Sequence, residues 1–382
     1  GTNTDWIEFS GTSATPTVAA NPTGDATVKN YDLTKLPKSR RALIRVKSEL
    51  GRMKVGFMGD SNTAGEGAGL SGSHLYTGAM PRALPALVAK TLRNNGVPAS
   101  FANFIGFAGG TGDITYDPRL TFVNMNADVN ALSGSYLKGQ DACSFTFAPG
   151  EKFNEFVVRH LQLGGQGTFK VCIDGNTSAP LGTIVVASSP EAMVSTTFQI
   201  PGESAVHTVT VFKEGGSGLN FFESIQCYDT TRPKVEVFNM GTCAKTAADY
   251  VENDKPWHRM QAMSTFGLDM LFIQFGINEE IQGSTASYKS NMQTIITLAK
   301  AAGIEVVLVL HSAHNGGQDQ SVVAAAIADL ATTNNVAWVD FNAVLGTFAA
   351  ANAAGDWFDT YHPTAQGYSL QARSAANAIL AL

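Results

Sequence analysis

Two patterns of apolar residues alternate along the chain. In the first, short apolar runs are interleaved with segments whose apolar residues recur at helical spacing. The runs Val55–Met58, "LDMLFIQFG" (268–276), "IEVVLVLH" (304–311) and "VAWVDF" (336–341) predict strands covered on both faces. "PRALPALVAKTLRNNG" (81–96), "SYKSNMQTIITLAKAAG" (287–303), "QSVVAAAIADLATT" (320–333) and "AQGYSLQARSAANAILAL" (365–382) predict helices, the first two ending on Gly. Strand followed by helix, repeated, predicts a parallel sheet with helices on both sides.

The second pattern fills residues 113–234. Here "FNEFVVRHLQL", "GTFKVCIDG", "LGTIVVASS", "VSTTFQI" and "HTVTVFK" are short alternating runs separated by Gly, Pro, Asn and Ser. That spacing, without helical segments, predicts an all-β sandwich or jelly-roll-like domain inserted into a loop of the α/β domain. The expected organisation is an extended arm or linker over 1–44, an α/β domain from 45–112 and 235–382, and the β insertion over 113–234. The basic stretch "KLPKSRRALIRVKSELGRMK" (35–54) is broken by apolar residues and Glu, and reads as an amphipathic segment leading into the first strand.

Composition narrows the function. The 382 residues suffice for two cores, and 44% hydrophobic with 15% charged residues describes a globular protein. A net charge of -6 argues against a nucleic-acid partner, which would need clustered Lys and Arg. No apolar run is long enough for a transmembrane helix, and no leader pattern stands at "GTNTDWIEFSG". Cys143, Cys172, Cys227 and Cys243 form no C-x-x-C pair, so no structural zinc site is predicted; disulfides and buried free thiols both remain open.

Three polar clusters stand where chemistry is expected. In "MKVGFMGDSNTAGEGAG" (53–69), Ser61 follows a buried strand at a Gly-rich turn, the strand end at which open α/β sheets bind ligands. In "WFDTYHPTAQGY" (357–368), Asp359 and His362 are spaced so that the carboxylate can orient the imidazole, leaving its other nitrogen to take a serine proton. In "QFGINEE" (274–280), Asn278 follows another strand and can offer its amide N–H to an oxyanion. Alone, each cluster reads as a turn or helix cap; together they read as a site. His311 and His314 of "HSAH" read as a pocket wall or surface loop rather than a metal site.

On these blocks the chain resembles the SGNH hydrolases, or GDSL-type esterases, over residues 53–112 and 235–382. The resemblance implies a three-layer α/β/α domain and a serine esterase without cofactor. It makes Ser61 the nucleophile, with its backbone N–H in the oxyanion hole, His362 the base, Asp359 its partner and Asn278 an oxyanion donor. "VEVFNMGTCAKTAADY" (235–250) is similar to the remaining block, with Ala244 where the family's donor Gly usually stands. Ala244 or Gly241 would then supply the third N–H, and "GFAGGTGD" (106–113) is an alternative block. An inserted β domain resembles those of carbohydrate deacetylases. The expected substrate is therefore a short acyl ester, acetyl foremost, on a polysaccharide, met outside the cell, in the periplasm or on a cell or phage surface. Trp257, Trp338, Trp357, Tyr76, Tyr116 and Tyr361 are candidates for stacking on sugars, although core packing is the usual role of such residues. The alternatives are a glycan-binding protein with a decayed hydrolase domain, or a lipase or thioesterase of the same family. An oligomer is compatible with all three.

Overall fold

The computed structural model describes residues 23–69, 77–106, 117–132, 134–187, 189–214 and 218–382. Its centre is a seven-stranded sheet in the order Val28–Lys29, Ala337–Asp340, Glu305–Leu310, Met270–Gln274, Met53–Gly59, Val235–Gly241, Ala99–Ser100. All pairings are parallel except that of the Val28–Lys29 edge. The central strands are apolar on both faces because helices cover both. Pro37–Lys47, Leu84–Asn94 and Ala365–Leu380 close one core with Val55, Phe57 and Val237. Arg259–Ser264, Thr285–Ala301 and Ser321–Thr333 close the other with Met58, Ile273 and Leu308.

From Met53–Gly59 the chain runs first to the edge strand Ala99–Ser100 and then returns to Val235–Gly241, which lies between the two. It then crosses to Met270–Gln274 and continues outward on the other side. The carboxyl end of Met53–Gly59 is thus the point where the winding reverses, and such a point leaves a crevice for a ligand.

The second unit is an antiparallel network of nine strands. The long Gly134–Phe147 strand pairs with Leu120–Ala131 and Val209–Lys213, and also with Asn220–Tyr228. The strands thus form one hydrogen-bonded sheet wrapped on a core of Phe104, Phe145, Phe147, Phe156, Phe169 and Phe222. The expected antiparallel β unit is present as this continuous network. It takes in Asn103–Ile105, which pairs with Asn220–Tyr228, so the chain leaves the α/β sheet just after Ser100 and not near 113. A short apolar run such as Asn103–Ile105 does not itself say which sheet it joins.

The expected arm differs from its reading as well. Residues 1–22 lie outside the described residues, but 23–44 are built into the α/β domain. Val28–Lys29 extends the sheet, Tyr31 Oη donates to Ala378 O (2.7 Å), and Asn30 Nδ2 donates to Val336 O (2.8 Å). The amphipathic segment is the helix Pro37–Lys47, burying Ala42, Leu43 and Val46. Leu36 stands at its N-cap and offers no side-chain acceptor; the Glu305 carboxylate accepts the N–H groups of Lys38 (2.7 Å) and Ser39 (2.8 Å) instead.

Charged residues lace the junction of the two units. Arg52 pairs with Glu155 (2.9 Å), and its guanidinium lies 3.9 Å from the Tyr228 ring centre. Arg159, fully buried on Glu155–Gln162, pairs with Glu223 and donates to Ala262 O and Thr265 Oγ1 on the α/β side. Asn103 Nδ2 donates to Val237 O (2.9 Å). All four cysteines are free thiols, three of them buried.

Candidate active site

Ser61 opens a single helical turn, Ser61–Ala64, at the carboxyl end of Met53–Gly59. Asp60 caps it by accepting the Asn62 N–H (2.9 Å). As first residue of the turn, Ser61 has an N–H that no intrahelical carbonyl can accept. The turn is packed tightly: a Cβ at Gly59 would lie 2.3 Å from Gln274 O, and one at Gly241 would lie 2.2 Å from the Ala64 nitrogen. Only glycine allows these backbones so close.

Opposite stands the loop before the last helix. Asp359 Oδ1 accepts the N–H groups of Tyr361 and His362 (both 2.7 Å), folding the loop around its own carboxylate. Phe358 N–H donates to His362 O (2.9 Å) and closes it. The folded loop places His362 Nδ1 2.9 Å from Asp359 Oδ2, and His362 Nε2 2.9 Å from Ser61 Oγ. Burial alone would raise the Asp359 pKa; the hydrogen bonds from His362 and the backbone more than offset it, and the carboxyl titrates below its ordinary value. Burial pulls the His362 pKa down, but the Asp359 bond and the Glu66, Asp359 and Asp60 carboxylates win, and the net shift is upward. Serine, imidazole and carboxylate thus form a continuous relay able to take a proton from Ser61 and stabilise the resulting imidazolium.

The other predicted residues divide. Asn278, in the short helix Ile277–Gln282, is half-buried, and its Nδ2 donates one hydrogen to Lys245 O (2.8 Å). Among the described residues no acceptor takes the second amide hydrogen. Ala244 lies in the same Lys245 loop at φ +59°, the left-handed conformation that favours Gly. Gly241 is a correction: its N–H donates to Asn239 Oδ1 (3.0 Å) and serves the packing of the strand against the Ser61 turn. The "GFAGGTGD" alternative beyond Gly106, with Tyr76 and Tyr116, lies outside the described residues. Trp338 and Trp357 pack into cores; Trp257 and Tyr361 are half-buried.

Several buried charged groups were not singled out from sequence. Among the described residues Asp60 Oδ2 has no hydrogen-bond partner, and burial lifts its pKa to about 6 against the pull of the Asn62 N–H, His311 and His362. Glu66 sits on the Nε2 side of His362, at 3.5 Å. Glu279 accepts the Ala247 N–H (2.6 Å), and burial lifts its pKa to about 7. Glu280 bridges His311 (3.2 Å) and His314 (2.6 Å), all three buried. The ligand atoms of these three lie within 4.8 Å of one another. Gly316 N–H, however, donates to His314 Nδ1 (3.1 Å), which makes Nε2 the protonated nitrogen and turns it into a donor to Glu280. His311 engages Ser312 O through Nδ1 (3.0 Å) and Glu280 through Nε2, as an imidazolium would. The trio is therefore arranged as an ion-paired clamp, not a metal ligand set. It ties the loop after Glu305–Leu310 to the helical turn that carries Asn278, so the histidine pair is neither surface loop nor open pocket wall. The sequence signals for it were the "NEE" and "HSAH" runs, each at the end of an apolar strand; the signal for Glu66 was its place between two glycines.

Residues 228–370 match the model of the GDSL-like Lipase/Acylhydrolase family. Among solved structures, a peptidoglycan O-acetylesterase is similar at TM-score 0.67 and 14% identity, covering 92% of this chain and 97% of its own. A span of that size includes both structural units, and it shows a shared fold. A family two carbohydrate esterase from Cellvibrio japonicus (13% identity, 68% of this chain, 93% of its own) and a family 6 carbohydrate-binding module from Clostridium cellulolyticum in complex with xylose (12%, 34% and 99%) match with TM-scores of 0.29 and 0.25. No curated protein matches the sequence.

Proposed function

We propose that this chain, whose residues 228–370 match the GDSL-like Lipase/Acylhydrolase family, is an SGNH-type esterase that removes short acyl groups, acetyl foremost, from a polysaccharide by a Ser61–His362–Asp359 mechanism. The observation that carries the proposal is the continuous relay from Ser61 Oγ through His362 to Asp359, with both links at 2.9 Å.

In this mechanism His362 Nε2 takes the Ser61 proton as Oγ attacks the ester carbonyl. Asp359 holds Nδ1–H and stabilises the imidazolium. The tetrahedral oxyanion lies among the Ser61 N–H at the start of its turn, the second Asn278 amide hydrogen and the Ala244 N–H. The C–O bond to the alcohol then breaks, and Nε2–H delivers its proton to the leaving oxygen. Water, deprotonated by the same imidazole, attacks the acyl-Ser61 ester and releases the acid. Nothing in these steps requires a cofactor.

The carbohydrate assignment is supported by the antiparallel unit and by the whole-chain fold shared with an enzyme named for peptidoglycan O-acetyl groups. A decayed, merely glycan-binding hydrolase is disfavoured by a relay with every link intact. The test is turnover of p-nitrophenyl acetate, butyrate and octanoate, followed by release of acetate from O-acetylated peptidoglycan and O-acetylated xylan. Acetate ester turnover that disappears in Ser61→Ala is expected, with Asn278→Ala lowering kcat on the order of 10²–10³-fold. Preference for octanoate would reassign the enzyme to lipid esters, and a folded but inactive wild type would favour the binding reading.

A further inference from the structure

A second carboxylate faces the base from the side opposite Asp359. Glu66 Oε2 lies 3.5 Å from His362 Nε2, the nitrogen that also meets Ser61 Oγ at 2.9 Å. Both side chains are largely buried, at 9% exposure for Glu66 and 13% for His362, so solvent screens the pair weakly. An ordinary surface glutamate would not be held in this way.

The backbone around Glu66 is shaped to bring it there. Gly65 and Gly67 flank it at φ +100° and +89°, in the left-handed region. A Cβ at Gly65 would lie 2.4 Å from that of Ala83, and one at Gly67 would lie 2.5 Å from Pro363 O. The two glycines thus reverse the chain after the Ser61 turn and lay it directly against the His362–Pro363 loop. Between them, Glu66 N–H donates to Ser61 O (2.9 Å), and Glu66 O accepts from the buried Tyr368 hydroxyl (2.7 Å) of the last helix. The residue is anchored at both backbone atoms, to the nucleophile turn and to the helix behind the base.

We propose that Glu66 is a positioning residue for the base: its carboxylate, set on the Nε2 side of the His362 ring, stabilises the imidazolium formed when Ser61 attacks. The inference rests on the serine-esterase reading above for its catalytic consequence, but not for the coupling between Glu66 and His362. In the resting state the neutral ring accepts a hydrogen bond from the Ser61 hydroxyl at Nε2. During attack the Oγ–H bond breaks and the Nε2–H bond forms. The new positive charge then lies between Asp359 and Glu66, and Nε2 returns the proton to the leaving alcohol oxygen. Glu66 gains and loses no proton in the cycle. The charged groups facing His362 are Asp359 from its own loop, and Glu66 and the buried Asp60 from the nucleophile turn; the Tyr361 ring lies 6.5 Å from the imidazole.

The same interaction has two opposite effects, and this gives the test. A carboxylate beside Nε2 favours the imidazolium in the transition state, which raises kcat. It also favours the imidazolium in the free enzyme, which moves the acid limb of the pH–rate profile upward. In Glu66→Gln the acid limb of kcat/KM is expected to fall by about 0.5–1 pH unit while plateau kcat drops about 3- to 10-fold, one interaction free energy read twice. Glu66→Asp, which keeps the charge, is expected to recover most of the wild-type limb. A packing role alone would lower kcat or stability without moving the limb, and an unchanged limb in Glu66→Gln overturns the proposal. The titration of the His362 ring nitrogens followed by NMR in wild type and Glu66→Gln reads the coupling without substrate. A lowered His362 pKa in an enzyme that hydrolyses no ester would sink the esterase reading and leave the coupling standing; an unmoved pKa in an active esterase would do the reverse.

Discussion

At the scale of single residues, Ala244 is a position where the sequence works against its own backbone. Its φ of +59° is one that an L-residue adopts at a cost of roughly 1–2 kcal/mol. The loop around it is fixed from outside: Lys245 O accepts from Asn278 Nδ2, Ala247 N–H donates to Glu279, and Thr246 with Asp249 forms a capping box. These bonds hold the alanine in a conformation that a glycine would take freely. Ala244→Gly is therefore expected to raise stability by about 0.5–1 kcal/mol, less than the full strain because glycine loses more freedom on folding. The check is the urea midpoint of the two proteins; a lower midpoint in the variant would mean that the alanine methyl makes packing contacts worth more than the strain. The grouping of Ser61, His362 and Asp359 was legible from sequence because Asp359 and His362 stand three residues apart and Ser61 follows a buried strand at a Gly-rich turn. Glu66 and Asp60 were not, since what makes them unusual is their burial beside an imidazole some three hundred positions away.

At the scale of elements, the strands and helices of the α/β domain were legible because each is covered on a predictable face and long enough to show its period. The departures are the short ones. Val28–Lys29 has no pattern at all, and is a strand only because Ala337–Asp340 would otherwise present a bare edge. Asn103–Ile105 is too short to show a period, and its pairing is decided by residues far along the chain. The Pro37–Lys47 helix was visible as an amphipathic segment, yet its start carries no local cap, and the acceptor comes from Glu305 on a neighbouring strand. That contact is testable at this scale. Glu305→Ala leaves two N–H groups of the first turn without their carboxylate and is expected to cost about 1–2 kcal/mol. Glu305→Gln keeps an acceptor oxygen and should cost less. Equal urea midpoints for Glu305→Ala and wild type would mean that water caps this helix as well as the carboxylate does.

At the scale of the whole molecule, the question is what joins the two units. An inserted β unit was legible from the change of apolar period, but the joint was not, because it is made of charged residues that read as surface. Arg159 shows how the joint works. Burying it unpaired would be prohibitive, and Glu223 with Thr265 and the Ala262 carbonyl makes it a bridge from one unit to the other. Half-buried Lys54 and buried Glu236, in register on adjacent parallel strands, extend this polar layer. Burial lowers the Lys54 pKa to about 8, with nearby Arg52 adding to the effect and Glu236 opposing it. Burial raises the Glu236 pKa to about 8, against the pull of Lys234 and Arg52. The linkage follows from these directions. Between the ordinary glutamate range and about pH 8, the folded protein keeps a proton on Glu236 that the unfolded chain releases, so this residue's contribution to stability falls as pH rises. Above about pH 8 the folded Lys54 releases its proton before the unfolded chain does, and its contribution rises again. The pair therefore contributes a dip in stability centred near pH 8. Glu236→Gln removes the falling side and is expected to gain on the order of 1–3 kcal/mol over wild type at about pH 8.5, and much less at about pH 5, where the wild-type carboxyl is already neutral in the fold. Urea unfolding of both proteins at the two pH values reads the difference directly. A gain that is equal at both would mean that the amide improves packing at the joint, and that the buried carboxylate is not what makes the folded protein sensitive to base.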